Sequence, residues 1–395
     1  MPRSDSPTYR RLAAIYFAYF AFIGAFSPYF ALYLQSVGQA AWQIGLLLSL
    51  MQLMRTMAPF AWATLADRHG WRARLLQATL AAALAAYAGL FLTADFAGLF
   101  VVLAVFAFFS SATMPLVESI TLTSLRGRIE RYGGIRLWGS LGFIAAVLGA
   151  GWLLDRVAIA NLLWMLVLPL LATLLCACSL RDAPRREQVQ HEPIWPHAVR
   201  PEVVVVLTAN VLMNAAHGPL YAFYSIYLAE AGYSKAAIGV LWSLGVVAEI
   251  AVFLAAPRWM TRFAAHDVLA ASVALAVVRF ALIGWGVASP TLLVIAQLMH
   301  AATFGACHMA SLALVNRWFT GPRQVRGQAL YLSLAFGAGG FLGAAASGAL
   351  WEAVGPVWTF TAASGVAAAG LLLLVGSVKL LRRAAKSSAD AASTS

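Results

Sequence analysis

Long apolar runs, separated by short polar loops, set the character of this chain. They span roughly 11–35, 42–66, 73–94, 97–124, 134–155, 159–180, 202–229, 236–256, 268–287, 290–316, 327–350 and 356–381. A helix rising 1.5 Å per residue needs about 20 apolar residues to cross a bilayer core of about 30 Å, and each run reaches that length. Hydrocarbon offers no water to backbone N–H and C=O groups, so such runs are predicted as helices that satisfy their own polar groups. The pattern therefore predicts an all-α polytopic membrane protein of twelve transmembrane helices, with both termini on one side.

Composition agrees and excludes a soluble fold. Of 395 residues, 62% are hydrophobic and 11% charged, where a soluble domain carries about 25% charged residues. The net charge of +12 raises nucleic acid as a partner, but the basic residues flank apolar runs and form no continuous face. Placing the termini and even-numbered loops on one side gathers 22 of the 27 Lys and Arg there and leaves two, Arg156 and Lys235, opposite. By the positive-inside rule both termini are cytoplasmic. The first run is of full span length behind a polar start, so no cleavable signal peptide is expected. The cysteines, Cys176, Cys178 and Cys307, lie within apolar runs at spacings that suit neither zinc nor redox chemistry.

The longest polar stretch, 181–200, holds three of fifteen prolines and falls near the middle. It reads as a cytoplasmic linker between six-helix halves, 1–180 and 201–383, with a disordered tail at 384–395. A repeat supports this division. At an offset of 194, Tyr33, Leu34, Gly38, Ile44, Gly45, Leu47, Ser49 and Leu50 match Tyr227, Leu228, Gly232, Ile238, Gly239, Leu241, Ser243 and Leu244; at 197, Gly142, Gly151 and Asp155 face Gly339, Gly348 and Glu352. Two parallel repeats of six spans describe the major facilitator fold.

Local motifs strengthen that resemblance. Ala63-Thr-Leu-Ala-Asp67-Arg68-His-Gly70-Trp-Arg72 resembles the major facilitator signature of the second loop, with Ala63 in place of its first glycine. The resemblance implies a cytoplasmic conformational latch of Asp67, Arg68 and Gly70. Met114-Pro-Leu-Val-Glu118, followed by Tyr132-Gly-Gly-Ile-Arg136-Leu-Trp138-Gly-Ser-Leu-Gly142-Phe143, resembles the oligosaccharide:proton symporter branch, whose best-known member is lactose permease, and more closely the phenylpropionate permease group. In lactose permease the residues matching Glu118 and Arg136 bind substrate. Glu249 and Arg279 align with its acidic and basic residues of spans eight and nine, and His300 with its coupling histidine. Thr303 stands where that permease has a glutamate, so its proton site does not transfer.

Ionisable residues inside a membrane are costly unless they face a cavity or a partner, so each is a functional candidate. Here they are Arg55, Glu118, Arg136, Glu249 and Arg279, with His217, His300 and His308. Glu118 shares a polar stripe with Ser111 and Thr121, and Arg136 begins the next span; a substrate site and a structural salt bridge are both open readings. Arg55 and Glu249 lie 194 apart, at equivalent places in the repeat. Glu249 or Glu118 is the expected proton-carrying carboxylate. On the seventh run, Asn210, Asn214, His217, Tyr221 and Tyr224 follow helical spacing and face an aromatic and apolar set on the first run, Tyr16, Phe20, Ile23, Ser27 and Phe30.

Three in-span arginines against two glutamates leave one excess guanidinium, which suits a carboxylate substrate, and flanking rings suit an aryl group. The expectation is a proton-coupled symporter of a small aromatic or other organic carboxylate, working by alternating access in the bacterial inner membrane. Substrate binding is assigned to Glu118, Arg136, Asn214, His217, Tyr221 and Arg279, and proton coupling to Glu249, His300 and Arg55. Sugar or nucleoside symport, with Trp138 as a stacking ring, and drug efflux are the alternatives. No H-E-x-x-H, G-x-S-x-G or Walker motif is present, so no enzyme, metal or cofactor is expected. The expected partners are substrate, protons and membrane lipid, with the chain acting as a monomer.

Overall fold

The computed structural model describes residues 7–125, 131–182 and 192–381, without the side chains of residues 55, 57, 59, 60, 63 and 67. The centre of the expected linker and the expected disordered tail fall outside the described residues. Every regular element among those described is helical: α1 (Pro7–Ser36), α2 (Ala41–His69), α3 (Arg72–Ala88), α4 (Phe96–Ser110), α5 (Thr113–Leu125), α6 (Tyr132–Leu154) and α7 (Leu162–Cys178). A single turn, α8 (Trp195–Ala198), precedes α9 (Pro201–Ala216), α10 (Gly218–Glu230), α11 (Lys235–Trp259), α12 (Ala265–Gly286), α13 (Pro290–Leu298), α14 (Cys307–Trp318), α15 (Gln324–Leu332) and α16 (Gly340–Gly376).

Among the described residues, ten helical segments are long and apolar enough to cross a membrane. The expected twelve differ from these by α2, which counts only as the shorter apolar helix Ala41–Met54, and by the last segment, which runs on through Gly355, where φ is 77°. The repeat reappears as turn geometry. Gly38 and Gly232 both adopt left-handed backbone, φ 85° and 91°, a conformation that costs glycine little. At both turns the same bonds close the preceding helix, Gln39 N–H to Leu34 C=O and Tyr233 N–H to Leu228 C=O.

The described residues divide into two compact units, Met1–Gln188 with Tyr221–Ser243, and Val189–Leu220 with Leu244–Ser395. In the first, α1 packs on α6 at backbone distance: a Cβ on Gly24 would come within 2.4 Å of the Phe143 carbonyl oxygen, and one on Gly142 within 2.1 Å of that of Phe17. Its core joins Leu12 and Ile15 of α1, Ala58 and Trp62 of α2, Leu76 and Leu80 of α3, Leu116 and Val117 of α5 and Ile135 of α6. In the second unit the repeat-equivalent glycines do the same, Gly218 against Gly343 and Gly339 against Val211. Small residues let helices approach where lipid gives no hydrophobic drive to associate.

Two stretches of the second unit, Ala301–Ala306 between α13 and α14 and Ser333–Gly339 between α15 and α16, are wound as π-helix. Such bulges release the regular hydrogen-bond ladder and recur at functional sites.

Candidate substrate site

The first unit assembles a cationic site where α1, α5 and α6 meet. Tyr132 and Arg136 lie one turn apart at the start of α6 and so share a face. The Tyr132 hydroxyl donates to Glu118 Oε1 at 3.1 Å. The Arg136 guanidinium lies 4.1 Å over the centre of the Phe20 ring and 6.0 Å from that of Tyr16, a cation–π arrangement. The two rings are parallel, 6.5 Å apart. Gly139 makes the space, because a Cβ there would meet Phe20 Cδ2 at 2.7 Å and Arg136 Nη1 at 2.9 Å. Among the described residues no ion pair joins Arg136 to Glu118, although each lies in the other's field. The Tyr16 hydroxyl, fully buried, makes no hydrogen bond.

The second unit buries another arginine among polar groups. Arg279 on α12 is 0% exposed. Its Nε donates to the Ala296 carbonyl at 2.8 Å and its Nη1 to Thr303 Oγ1 at 3.0 Å, with His217 Nε2 at 3.4 Å from Nη1. His217 Nδ1 lies 2.8 Å from the Met213 carbonyl. A carbonyl only accepts, so Nδ1 carries the proton and Nε2 faces the guanidinium as an acceptor. His300 stacks on Phe304 at 5.2 Å and lies 6.4 Å from His217. Glu249 borders this region through Gly305, whose Cβ would meet Glu249 Cγ at 3.1 Å. Asn210, Asn214, His217, Thr303, His308 and Tyr331 help line a small cavity of about 10 Å³, room for about one water. There Asn210 Oδ1 accepts from Ser311 at 2.9 Å, and His308 Nδ1 meets the Tyr331 hydroxyl at 3.0 Å.

The structure thus brings Glu118 and Arg136 together in one unit, and Asn214, His217, Arg279 and His300 in the other. The seventh apolar run does not continue as a single helix: it breaks at His217, between α9 and α10. Asn210, Asn214 and His217 stay on one cavity, while Tyr221 and Tyr224 pack beside Trp242 in the first unit at 6.2 and 6.1 Å. Trp138 is 41% exposed, and the ring beside Arg136 is Phe20. The side chains of Arg55 and Asp67 lie outside the described residues. Of the expected latch, Gly70 closes α2 with left-handed φ of 72° and a bond from its N–H to the Ala66 carbonyl, and Arg68 is exposed. The first turn of α3 is held by Asp182, which accepts from the Ala73 N–H at 2.6 Å.

Comparison with known proteins gives the class. Over 95% of this chain and 100% of theirs, the fold matches the crystal structure of the nucleoside transporter NupG, with a TM-score of 0.80 at 16% identity. It also matches the human organic anion transporter MFSD10, with a TM-score of 0.64 at 19% identity, over 94% of this chain and 100% of that one. The chain belongs to the MFS_1 like family, whose profile matches residues 9–362. Family and relatives make the molecule a multi-pass membrane transporter of the secondary type and not an enzyme. It is 33% identical over 340 residues to the probable 3-phenylpropionic acid transporter of Escherichia coli K12, covering 83% of this chain and 87% of that protein. It is 31% identical over 256 residues to the maltose permease of Geobacillus stearothermophilus, covering 63% and 64%.

Proposed function

We propose that this protein takes up a small aromatic carboxylate by proton-coupled alternating access, in the inner membrane of a bacterium and with both termini in the cytoplasm. The observation that carries the reading is Arg136. Its guanidinium rests on the Phe20 ring with no hydrogen-bonded or ion-paired side chain among the described residues, one turn into α6. A planar guanidinium in that position suits the two oxygens of a carboxylate, and the rings of Tyr16 and Phe20 suit an aryl group beside it. The 33% identity to a probable 3-phenylpropionic acid transporter supports the same substrate class.

A second reading, a neutral hydroxyl-rich substrate, draws support from the uncharged lining of the other cavity, Asn210, Asn214, Thr303 and Tyr331, and from the identity to a maltose permease. Thermal unfolding of the purified protein separates the two, because a ligand of the folded state raises its melting temperature by mass action. Stabilisation by 3-phenylpropionate and cinnamate, lost in Arg136→Ala, is expected. Stabilisation by maltose or a nucleoside alone would overturn the anion reading.

A further inference from the structure

We propose that Glu118 carries the coupling proton and takes up one proton for each carboxylate bound at Arg136, so that loading the site adds no net charge. The inference rests on the anion reading above and adds the identity and stoichiometry of the proton carrier.

The argument is one of charge and of hydrogen-bonding capacity. Among the described side chains, Arg136 is the cation within the field of Glu118. A substrate carboxylate docked on its guanidinium would put two carboxylates around one positive charge, in a half-buried place with little water to separate them. Carboxylates that share a site cannot both remain ionised, and one takes a proton. The bound anion brings one negative charge and the proton one positive charge, so the sum at the site is unchanged.

The surrounding hydroxyls allow that change without stranding a polar group. Tyr132 donates to Glu118 Oε1 in the structure, which suits an ionised carboxylate. Once protonated, Glu118 becomes a donor, and a phenol can accept as readily as it donates. The buried Tyr16 hydroxyl, which makes no hydrogen bond, faces Tyr132 and Thr121 and offers the Tyr132 proton a new partner. Tyr132 is therefore a positioning residue for the proton site. Among the described residues, the titratable or charged groups facing Glu118 are Tyr16 from α1 and Tyr132 and Arg136 from α6. The helices packed on the other side of α5 present Ala58 and Trp62 from α2 and Leu76 and Leu80 from α3. The Arg55 side chain on α2 lies outside the described residues.

Calorimetric titration of the full-length protein with 3-phenylpropionate, in buffers of different ionisation enthalpy, reads both anion binding and protons exchanged. Wild type should take up close to one proton per anion at a pH where the free site is ionised. Glu118→Gln, in which an amide of the same shape stands for the protonated acid, should bind the anion with no proton uptake and with affinity independent of pH. Tyr132→Phe should still bind but shift the pH at which uptake is half complete; an unmoved profile would remove Tyr132 from the assignment. Binding by wild type without uptake, uptake that persists in Glu118→Gln, or uptake abolished instead by Glu249→Gln would overturn the proposal while leaving the anion site standing. Absence of binding by wild type would defeat the anion reading, and this proposal with it.

Discussion

Gly139 decides how Arg136 is presented. Its missing side chain leaves room for the Phe20 ring and the Arg136 guanidinium together. Gly139→Ala would push a methyl group against both, at 2.7 and 2.9 Å, and the ring and guanidinium tips are free enough to move aside. The expected result is a roughly tenfold loss of carboxylate affinity, about 1.4 kcal/mol, with a melting temperature close to wild type, read by calorimetric titration and thermal unfolding. Arg136→Lys keeps the charge but loses the planar fork, and should weaken binding by tenfold or more in the same titration. Arg136 and Glu118 were legible in the sequence because an ionisable residue inside an apolar run is conspicuous. Phe20 was legible only as one of an aromatic and apolar set on the first run; its seat under Arg136 was not, because only packing selects one ring from that set. Trp138 drew attention by its place in the motif, but two residues along a helix turn a side chain about 200° from Arg136.

At the scale of elements, the repeat foretold where the chain turns. Gly38 and Gly232 hold equivalent left-handed turns, and the glycines that bring α1 onto α6 recur between α9, α10 and α16. Gly142→Val would force a branched side chain into the Phe17 carbonyl, 2.1 Å from the new Cβ, and should abolish recovery of monodisperse protein on size exclusion. The π-wound stretches were not legible, whereas the break at His217 had its signal in Gly218-Pro219, a helix-breaking pair that the even spacing of the polar residues concealed. The long seventh run therefore promised one continuous polar stripe where the fold divides it.

Asp155 is another element-scale device. Its carboxylate leaves α6 and accepts from the Lys235 and Ala236 N–H groups at 2.7 and 3.0 Å, capping α11. Partial burial opposes ionisation of Asp155, but those two N–H groups and the Lys235 charge outweigh it and hold the carboxyl below its ordinary value of 3.8. A depressed folded-state value means the cap stabilises above that pH and is lost as the pH falls below it. Asp155→Ala should therefore cost about 1 kcal/mol at neutral pH, and its melting temperature should converge on wild type as the pH is lowered below 4.

At the scale of the whole molecule, span pattern and repeat were enough to reach the fold, because hydrocarbon permits so few backbone solutions, and the motifs around Asp67 and from Tyr132 to Phe143 led on to the family. The last span shows why counting is harder in the structure: the final segment runs on through Gly355. The central claim is that this transporter accumulates an aromatic carboxylate through Arg136. Uptake of labelled 3-phenylpropionate into proteoliposomes, acidic outside, tests it most directly. Accumulation above the external concentration by wild type, collapsed by a protonophore and absent in folded Arg136→Ala, is the predicted result. Undiminished accumulation by Arg136→Ala, or none by wild type in vesicles that concentrate maltose, would contradict it.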